Sequence, residues 1–227
     1  MKTIASRQNP LFKRVRRAID EHGEEIAIEG PKAVDDAIAN GWKPIAVIKR
    51  DADFTPALFD SLADTKTSQG VIALFERPRF GDLFADRDRI VVALDAVQDP
   101  GNVGTIVRLA AAFDAAGVVL LPGTADAYGP KAIRASVGAI LSVPVVTLSR
   151  SELLARSWPL YAADAAGAAI DPPSRNAVLV FGSEGSGVSP ELGAHATKIA
   201  IPMSGRVESL NVASSAAILL SRSFARR

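Results

Sequence analysis

Residues 90–94 read Ile-Val-Val-Ala-Leu, an apolar run with no polar alternation. A strand that faces water on one side alternates; a strand covered on both faces does not, and such strands belong to parallel sheets flanked by helices. Comparable runs follow at 118–121, 144–148, 160–163, 177–181 and 199–202, separated by helical or loop material and without hairpin signals. The pattern predicts a parallel α/β sheet. With 227 residues, 48% of them hydrophobic, the chain has the apolar material such a core needs.

Ahead of these runs the character differs. Asn9 followed by Pro10 reads as a helix cap and first helical residue, and Leu11, Val15, Ala18 and Ile19 recur at helical spacing with basic residues between them. Lys2, Arg7, Lys13, Arg14, Arg16 and Arg17 all precede the first acid, Asp20, and such a run suits either a solvated helix face or a phosphate backbone. A strand at 25–28, a helix opened by Pro31 and closed near Gly41, a strand at 45–48, a helix from Thr55-Pro56 and a strand at 71–74 complete a small α/β unit. Between 76 and 88 the composition shifts to Arg, Asp, Pro and Gly, which marks an exposed connection. The expected domains are 1–80 and 88–227.

Composition excludes several chemistries. The chain has no cysteine, so neither disulfides nor thiolate metal sites can form. Its two histidines, His22 and His195, are too few for a His-based metal centre and read as solvated surface residues. No run approaches the ~18 apolar residues of a membrane span, and residues 1–13 lack an apolar signal core. The expected location is the cytoplasm, without membrane contact.

Three segments carry candidate chemistry. Asp95-Ala96-Val97-Gln98-Asp99-Pro100-Gly101-Asn102-Val103-Gly104-Thr105-Ile106-Val107-Arg108 runs from a strand end into a helix expected to stop at Gly117. Pro100, Gly101 and Gly104 keep its first turn open, and the helix N-terminus is expected to offer free N–H groups to an anion such as an RNA phosphate. Arg108, about one and a half turns in, reads by spacing alone as a surface salt-bridge residue. In the second segment a strand leads into Gly182-Ser183-Glu184-Gly185-Ser186-Gly187-Val188-Ser189, with Pro190 at a helix start. The spacing mimics a P-loop, but Val188 stands where the phosphate-binding lysine is required, which excludes a nucleotide triphosphatase of that kind.

The third segment is an expected strand at 198–203, a polar loop through Gly205 and Ser209-Leu210-Asn211, and a helix at 212–224. A junction of this kind presents backbone amides, carbonyls and small polar side chains to a polar ligand. Asn211 reads as the helix cap; Val212, Ala216, Leu219 or Leu220, and Phe224 are the expected buried face, with Arg222, Arg226 and Arg227 at the C-terminal end. No G-x-S-x-G elbow surrounds Ser209 and nothing marks His195 as a base, so a hydrolase is disfavoured.

In order, the three segments resemble the three signatures of the SpoU (TrmH-like) branch of the SPOUT RNA methyltransferases. The pattern Asn-Val-Gly-x-Ile-x-Arg is similar to the first and maps its functional pair onto Asn102 and Arg108. The second places Gly182 at the cofactor and Glu184 near the catalytic centre, with Ser183 where the family more often has Asn. The third puts Ile201, Met203 and Leu210 around the cofactor and makes Ser209 and Asn211 polar site residues. Ser6-Arg7-Gln8-Asn9-Pro10-Leu11 and Ile28-Glu29-Gly30-Pro31-Lys32-Ala33-Val34 resemble the N-terminal substrate-binding domain of many SpoU enzymes, which is similar to a ribosomal-protein RNA-binding fold. Residues 129–139, expected to be helical with Lys131 and Arg134 one turn apart, are either an RNA contact, as in ribosomal-RNA members, or a solvated basic face.

The resemblance implies a trefoil-knotted parallel-sheet SPOUT domain preceded by a small α/β RNA-binding domain. It further implies a homodimer with sites at the interface, S-adenosyl-L-methionine as cofactor, no metal, and methylation of a ribose 2′-hydroxyl. Ribosomal RNA is the expected substrate and transfer RNA the alternative. A non-catalytic RNA-binding protein that retains the fold is the competing class, and the presence of Asn102, Arg108, Glu184, Ser209 and Asn211 argues against it. A base methyltransferase is disfavoured because the signatures resemble those of the ribose-methylating branch.

Overall fold

The computed structural model describes residues 3–21, 23–63 and 68–226; Lys2, His22 and Arg227, named above, lie outside them. The chain forms two compact units, one of Met1–Arg79 with Tyr128–Ile133, the other of Phe80–Ala127 with Arg134–Arg227. Residues 128–133, read from sequence as part of the C-terminal domain, thus group with the first unit.

The first unit holds α1 (Pro10–Asp20), β1 (Glu25–Glu29), α2 (Pro31–Ala39), β2 (Pro44–Lys49), α3 (Pro56–Asp60) and β3 (Val71–Glu76). Its sheet runs in the order β1-β3-β2 and is antiparallel throughout. Each helix begins at a proline, whose fixed φ suits the first helical position and whose missing N–H would have had no partner there. Asn9 completes the start of α1 by accepting from the Leu11 N–H at 2.8 Å. Phe12 and Val15 of α1 pack with Ile48, Phe54, Phe59 and Leu74 in the core.

The second unit holds β4 (Val91–Asp95), α4 (Pro100–Ala112), β5 (Gly117–Leu120), α5 (Pro130–Ser136), β6 (Val145–Thr147), α6 (Arg150–Leu154), β7 (Leu160–Ala168), β8 (Val178–Gly182), α7 (Pro190–Gly193), β9 (Ala196–Ile199) and α8 (Val212–Phe224). The first residues of α5 fall in the segment grouped with the other unit. The sheet order is β6-β5-β4-β8-β7-β9, and every pairing is parallel. The unalternating runs at 90–94 and 177–181 become β4 and β8, both buried along their whole length.

Four expectations need correction. The last strand is Ala196–Ile199, and residues 200–203 are not strand. β9 pairs only with β7 at the sheet edge and exposes Thr197 and Lys198, so hydrophobicity did not mark it, while Pro202 lacks the N–H a ladder needs. Helix α4 stops at Ala112 and Gly117 opens β5 rather than ending the helix. Helix α5 ends at Ser136, where Val137 (φ 51°) and Gly138 (φ 86°) leave helical conformation. In α8, Phe224 is 44% exposed with its ring 6.2 Å from that of Phe113. Ser223 is buried instead, its hydroxyl donating to the Pro173 carbonyl at 2.6 Å.

The basic face of α1 is largely paired within its own unit. Arg14 forks onto Glu25, with Nε 2.9 Å from Oε2, while Arg16 reaches the Ser61 carbonyl and Asp20, and Arg17 lies 3.7 Å from Glu21. The groove beside α1 is lined by Lys13, Arg14 and Arg17 but also by Glu21, Glu24 and Glu25. Among the described residues, Arg7 and Lys13 are the cations of this run left without an ion pair. The hydrogen bond from Arg14 holds the Glu25 carboxyl below the usual carboxylate range. A carboxyl lowered by folding stabilises the folded state above its unfolded pKa of ~4.3 and loses that contribution as pH falls through its folded value. Arg14→Gln should therefore cost stability at neutral pH, with the deficit against wild type shrinking on acidification below about pH 4. Chemical denaturation across pH checks this, and a deficit that does not change with pH would contradict it.

Candidate active site

The parallel pairing of β4 and β8 sets Asp95 opposite Gly182. Both strands end here, so the loops that follow them emerge side by side at the carboxyl edge of the sheet. After β4 the chain turns through Ala96 (φ 59°) and enters α4 at Asp99. Asp99 Oδ1 accepts from Gly101 N at 2.5 Å and Asn102 N at 3.2 Å, and its carbonyl accepts from Val103 N at 3.1 Å. Pro100 has no N–H to give. The first turn of α4 is thus capped by the chain itself, and the expected phosphate-binding amides at this N-terminus are already engaged.

After β8 the loop closes on itself. Ser183 N donates to Gly187 O at 3.1 Å and Gly187 N to Ser183 O at 2.9 Å. The Ser183 and Ser186 hydroxyls lie 2.8 Å apart, and Ser186 N donates to Ser183 Oγ at 3.1 Å. The serine at 183, the departure from the family pattern, thereby bonds within the loop that carries Glu184. Glu184 projects exposed from this loop and accepts from Asn102 Nδ2 at 2.7 Å. Asn102 Oδ1 in turn accepts from Asn211 Nδ2 at 3.2 Å. Asn211 Oδ1 caps α8 by accepting from Ala213 N at 2.9 Å and Ser214 N at 3.3 Å. A carboxylate can only accept, so Glu184 and the α8 cap together fix which way both carboxamides face.

Three of the five candidate polar residues, one from each segment, are therefore joined in a single hydrogen-bonded chain: Glu184, Asn102 and Asn211. Arg108 and Ser209 are not part of it. Arg108 is exposed, and eight residues beyond Pro100 it lies more than two turns into α4, deeper than the spacing suggested. Among the described residues no hydrogen bond or ion pair holds its guanidinium, so it is not the surface salt-bridge residue that spacing favoured. Ser209 is exposed and likewise without a hydrogen bond. His195 is exposed, as expected of a surface residue.

Residues 201–210 run between Ala200 and Asn211 with no backbone hydrogen bond to the rest of the described chain. They carry half-buried Ile201 and the exposed apolar side chains of Met203 and Leu210, each 36% exposed. Backbone donors and acceptors left open beside apolar side chains fit a ligand with a polar heterocycle, such as the adenosyl group of S-adenosylmethionine. Gly182, expected at the cofactor, is also constrained by its own loop. A Cβ there would run into the backbone of Gly187 and Val188, its own loop, rather than into space for a ligand.

Two further residues shape the site and were not singled out from sequence. Asp99 before Pro100 is a legible cap signal. Asp95 is a buried acid at a strand end, and its partners lie far along the chain. Among the described residues, no cluster of three or more His, Cys, Asp or Glu side chains could hold a metal.

Gly182→Ala tests this assignment, because a Cβ that forces the Glu184 loop open must lower stability as well as cofactor affinity. A melting temperature roughly 2–8 °C below wild type is expected, the scale of about 1–2 kcal/mol. An unchanged melting temperature with lost binding would instead mean that the added methyl group occupies cofactor space.

Residues 89–221 match the SpoU rRNA Methylase family. The chain is 38% identical over 175 residues to the 23S rRNA (guanosine(2553)-2′-O)-methyltransferase RlmP of Bacillus subtilis, covering 71% of this chain and 67% of the relative. It is also 38% identical to the 23S rRNA (adenosine(1067)-2′-O)-methyltransferase of Streptomyces laurentii, over 73% of this chain and 66% of that one. The crystal structure of an AdoMet-bound rRNA methyltransferase from Sinorhizobium meliloti superposes with a TM-score of 0.87 at 26% identity, covering 99% of this chain and 98% of that one. The match spans all three segments joined at the sheet edge, and the chain belongs to the SpoU family of S-adenosylmethionine-dependent RNA methyltransferases.

Proposed function

We propose that this protein methylates a ribose 2′-hydroxyl of ribosomal RNA. The observation that carries the reading is the Glu184–Asn102–Asn211 chain, which assembles polar groups from three separate loops in a member of a methyltransferase family. Relatives whose names specify 2′-O-methylation of 23S rRNA support the substrate class. When bound, S-adenosylmethionine supplies an electrophilic methyl group on a sulfonium. Ile201, Met203 and Leu210, with the open backbone groups of 201–210, would hold it.

The remaining chemistry falls to the chain's own residues. The attacking hydroxyl must be aligned and must lose its proton. Asn102 and Glu184 present a fixed donor and acceptor set beside the loop end, and Ser209 adds a hydroxyl that no other described residue engages. Arg108 carries a planar fork with no hydrogen-bond or ion-pair partner among the described residues, suited to orienting the hydroxyl and offsetting charge on the adjacent phosphate. An arginine is a poor general base, so phosphate or water takes the proton. Arg7 and Lys13, without an ion pair among the described residues, are the cations of the N-terminal run best placed to meet the phosphate backbone in an RNA-binding role for that unit.

The trefoil knot is part of the same reading, supported by α8, which leaves the edge strand β9 and returns to pack on α4 and β8. So is a homodimer, supported by the exposed apolar side chains of Met203, Leu210 and Phe224. A cytoplasmic setting is part of the same reading, supported by the bacterial rRNA methyltransferases among its relatives; no described helix is long and apolar enough to cross a membrane.

Arg108→Ala should leave folding and cofactor affinity near wild type and cut single-turnover transfer to a 23S rRNA fragment by roughly a hundredfold or more, the scale of losing one preorganised charged donor. Arg108→Lys should not restore full rate, because a point charge does not reproduce the fork. Near wild-type transfer by the alanine variant would remove Arg108 from the mechanism, and a pure loss of RNA affinity would make it a docking residue.

A further inference from the structure

One buried acid outside the Glu184–Asn102–Asn211 chain ties several elements beside the site. Asp95 is 1% exposed. Its Oδ1 accepts from Arg150 Nε at 2.8 Å and Nη2 at 2.6 Å, and its Oδ2 accepts from Ser189 N at 2.7 Å. Arg150 Nη2 also donates to the Pro122 carbonyl at 3.1 Å. The carboxylate therefore ties the end of β4 to the start of α6 and to the backbone at Ser189, and Arg150 extends the tie to Pro122, two residues beyond β5.

Ser189 matters because of where it lies. The Glu184 loop leaves β8 at Gly182, is closed by the Ser183–Gly187 pair, and meets α7 at Ser189. Its near end is fixed by strand pairing and its far end by the Asp95 carboxylate. Glu184 itself is exposed, and its described side-chain hydrogen bond is the one from Asn102. Whether Glu184 stays at Asn102 thus depends on both loop ends holding still. We propose that Asp95 is a positioning residue for methyl transfer, holding the far end of the Glu184 loop through the Ser189 amide. The proposal rests on the methyltransferase reading above.

The chemistry of the cradle explains why an acid is needed. Every group facing the Asp95 carboxylate is a donor: the Arg150 guanidinium on one oxygen and the Ser189 N–H on the other. In Asp95→Asn the volume is kept, but whichever way the amide faces, its NH2 meets a donor. The anchor at Ser189 or the fork to Arg150 must open.

The test is a double-mutant cycle of Asp95→Asn with Glu184→Gln, read by single-turnover transfer to a 23S rRNA fragment, together with backbone amide exchange over 183–189. Asp95→Asn alone should slow transfer by about tenfold or more with RNA affinity unchanged, the scale of one charge-assisted hydrogen bond. In the Glu184→Gln background the further loss should be under about threefold, since the two act through one contact. Loop amides 183–189 should exchange about tenfold faster in Asp95→Asn, while those of β8 stay as in wild type. Equal losses in both backgrounds, or unchanged loop exchange, would overturn the proposal and leave Asp95 a general stabiliser. The exchange arm needs no activity, so a wild-type protein that transfers no methyl group sinks the functional reading without silencing this one. If Asp95→Asn does not fold, exchange in the wild-type protein decides: the Ser189 N–H must be protected to the level of the β8 amides, and fast exchange there would overturn the proposal.

Discussion

Everything at the site follows from strand β8 inserting beside β4 in parallel register, with Asp95 opposite Gly182. Parallel strands end at the same edge, so a loop from the middle of the chain and a loop from near its end leave the sheet side by side. Asn102 and Glu184 are eighty-two positions apart, yet they meet at 2.7 Å. A one-residue slip would reverse which side chains of β8 face each flank and would carry the Glu184 loop away from α4. A slip would also part the Asp95 carboxylate from the Ser189 N–H that it holds at 2.7 Å.

Two kinds of polar contact share the work at this edge. The Glu184–Asn102–Asn211 bonds are exposed, and in water such bonds contribute little to stability; what they supply is direction, fixing which face of each carboxamide is donor and which acceptor. The Asp95 contacts are buried and complete, with both oxygens matched to donors, which is the condition under which a buried charge is tolerated and holds its neighbours rigidly. A rigid buried tie beneath an adaptable exposed network suits a site that must receive two ligands.

Much of this was legible before the structure. Unalternating runs marked β4 and β8 because both faces are covered, and proline before an apolar stripe marked the starts of α1, α2 and α3 because that position needs no N–H. Asn211 declared itself as the cap of α8, whose bounds matched the expectation. Other features were hidden for physical reasons. The edge strand β9 exposes Thr197 and Lys198, so its hydropathy resembles a loop. The N-terminus of α4 looked open to phosphate until Asp99 was seen occupying its amides. Asp95 gave no signal because its partners, Arg150 and Ser189, are distant in sequence and one of its bonds is to backbone. Gly182 stood out only through family resemblance as a cofactor residue, whereas the packing of its own loop against its Cβ position was not legible in sequence.

The central claim is that these loops direct a methyl group to a ribose oxygen of ribosomal RNA. The most direct measurement is the chemical position of the transferred label. Ribosomal RNA lacking the modification is incubated with the protein and methyl-labelled S-adenosylmethionine, digested to nucleosides and separated by mass spectrometry. The account predicts label on the ribose of one nucleoside type, with the adjoining phosphodiester made resistant to alkali because its 2′-oxygen is blocked. Label on a base, or no label from a folded protein that binds the cofactor and the RNA, would contradict it.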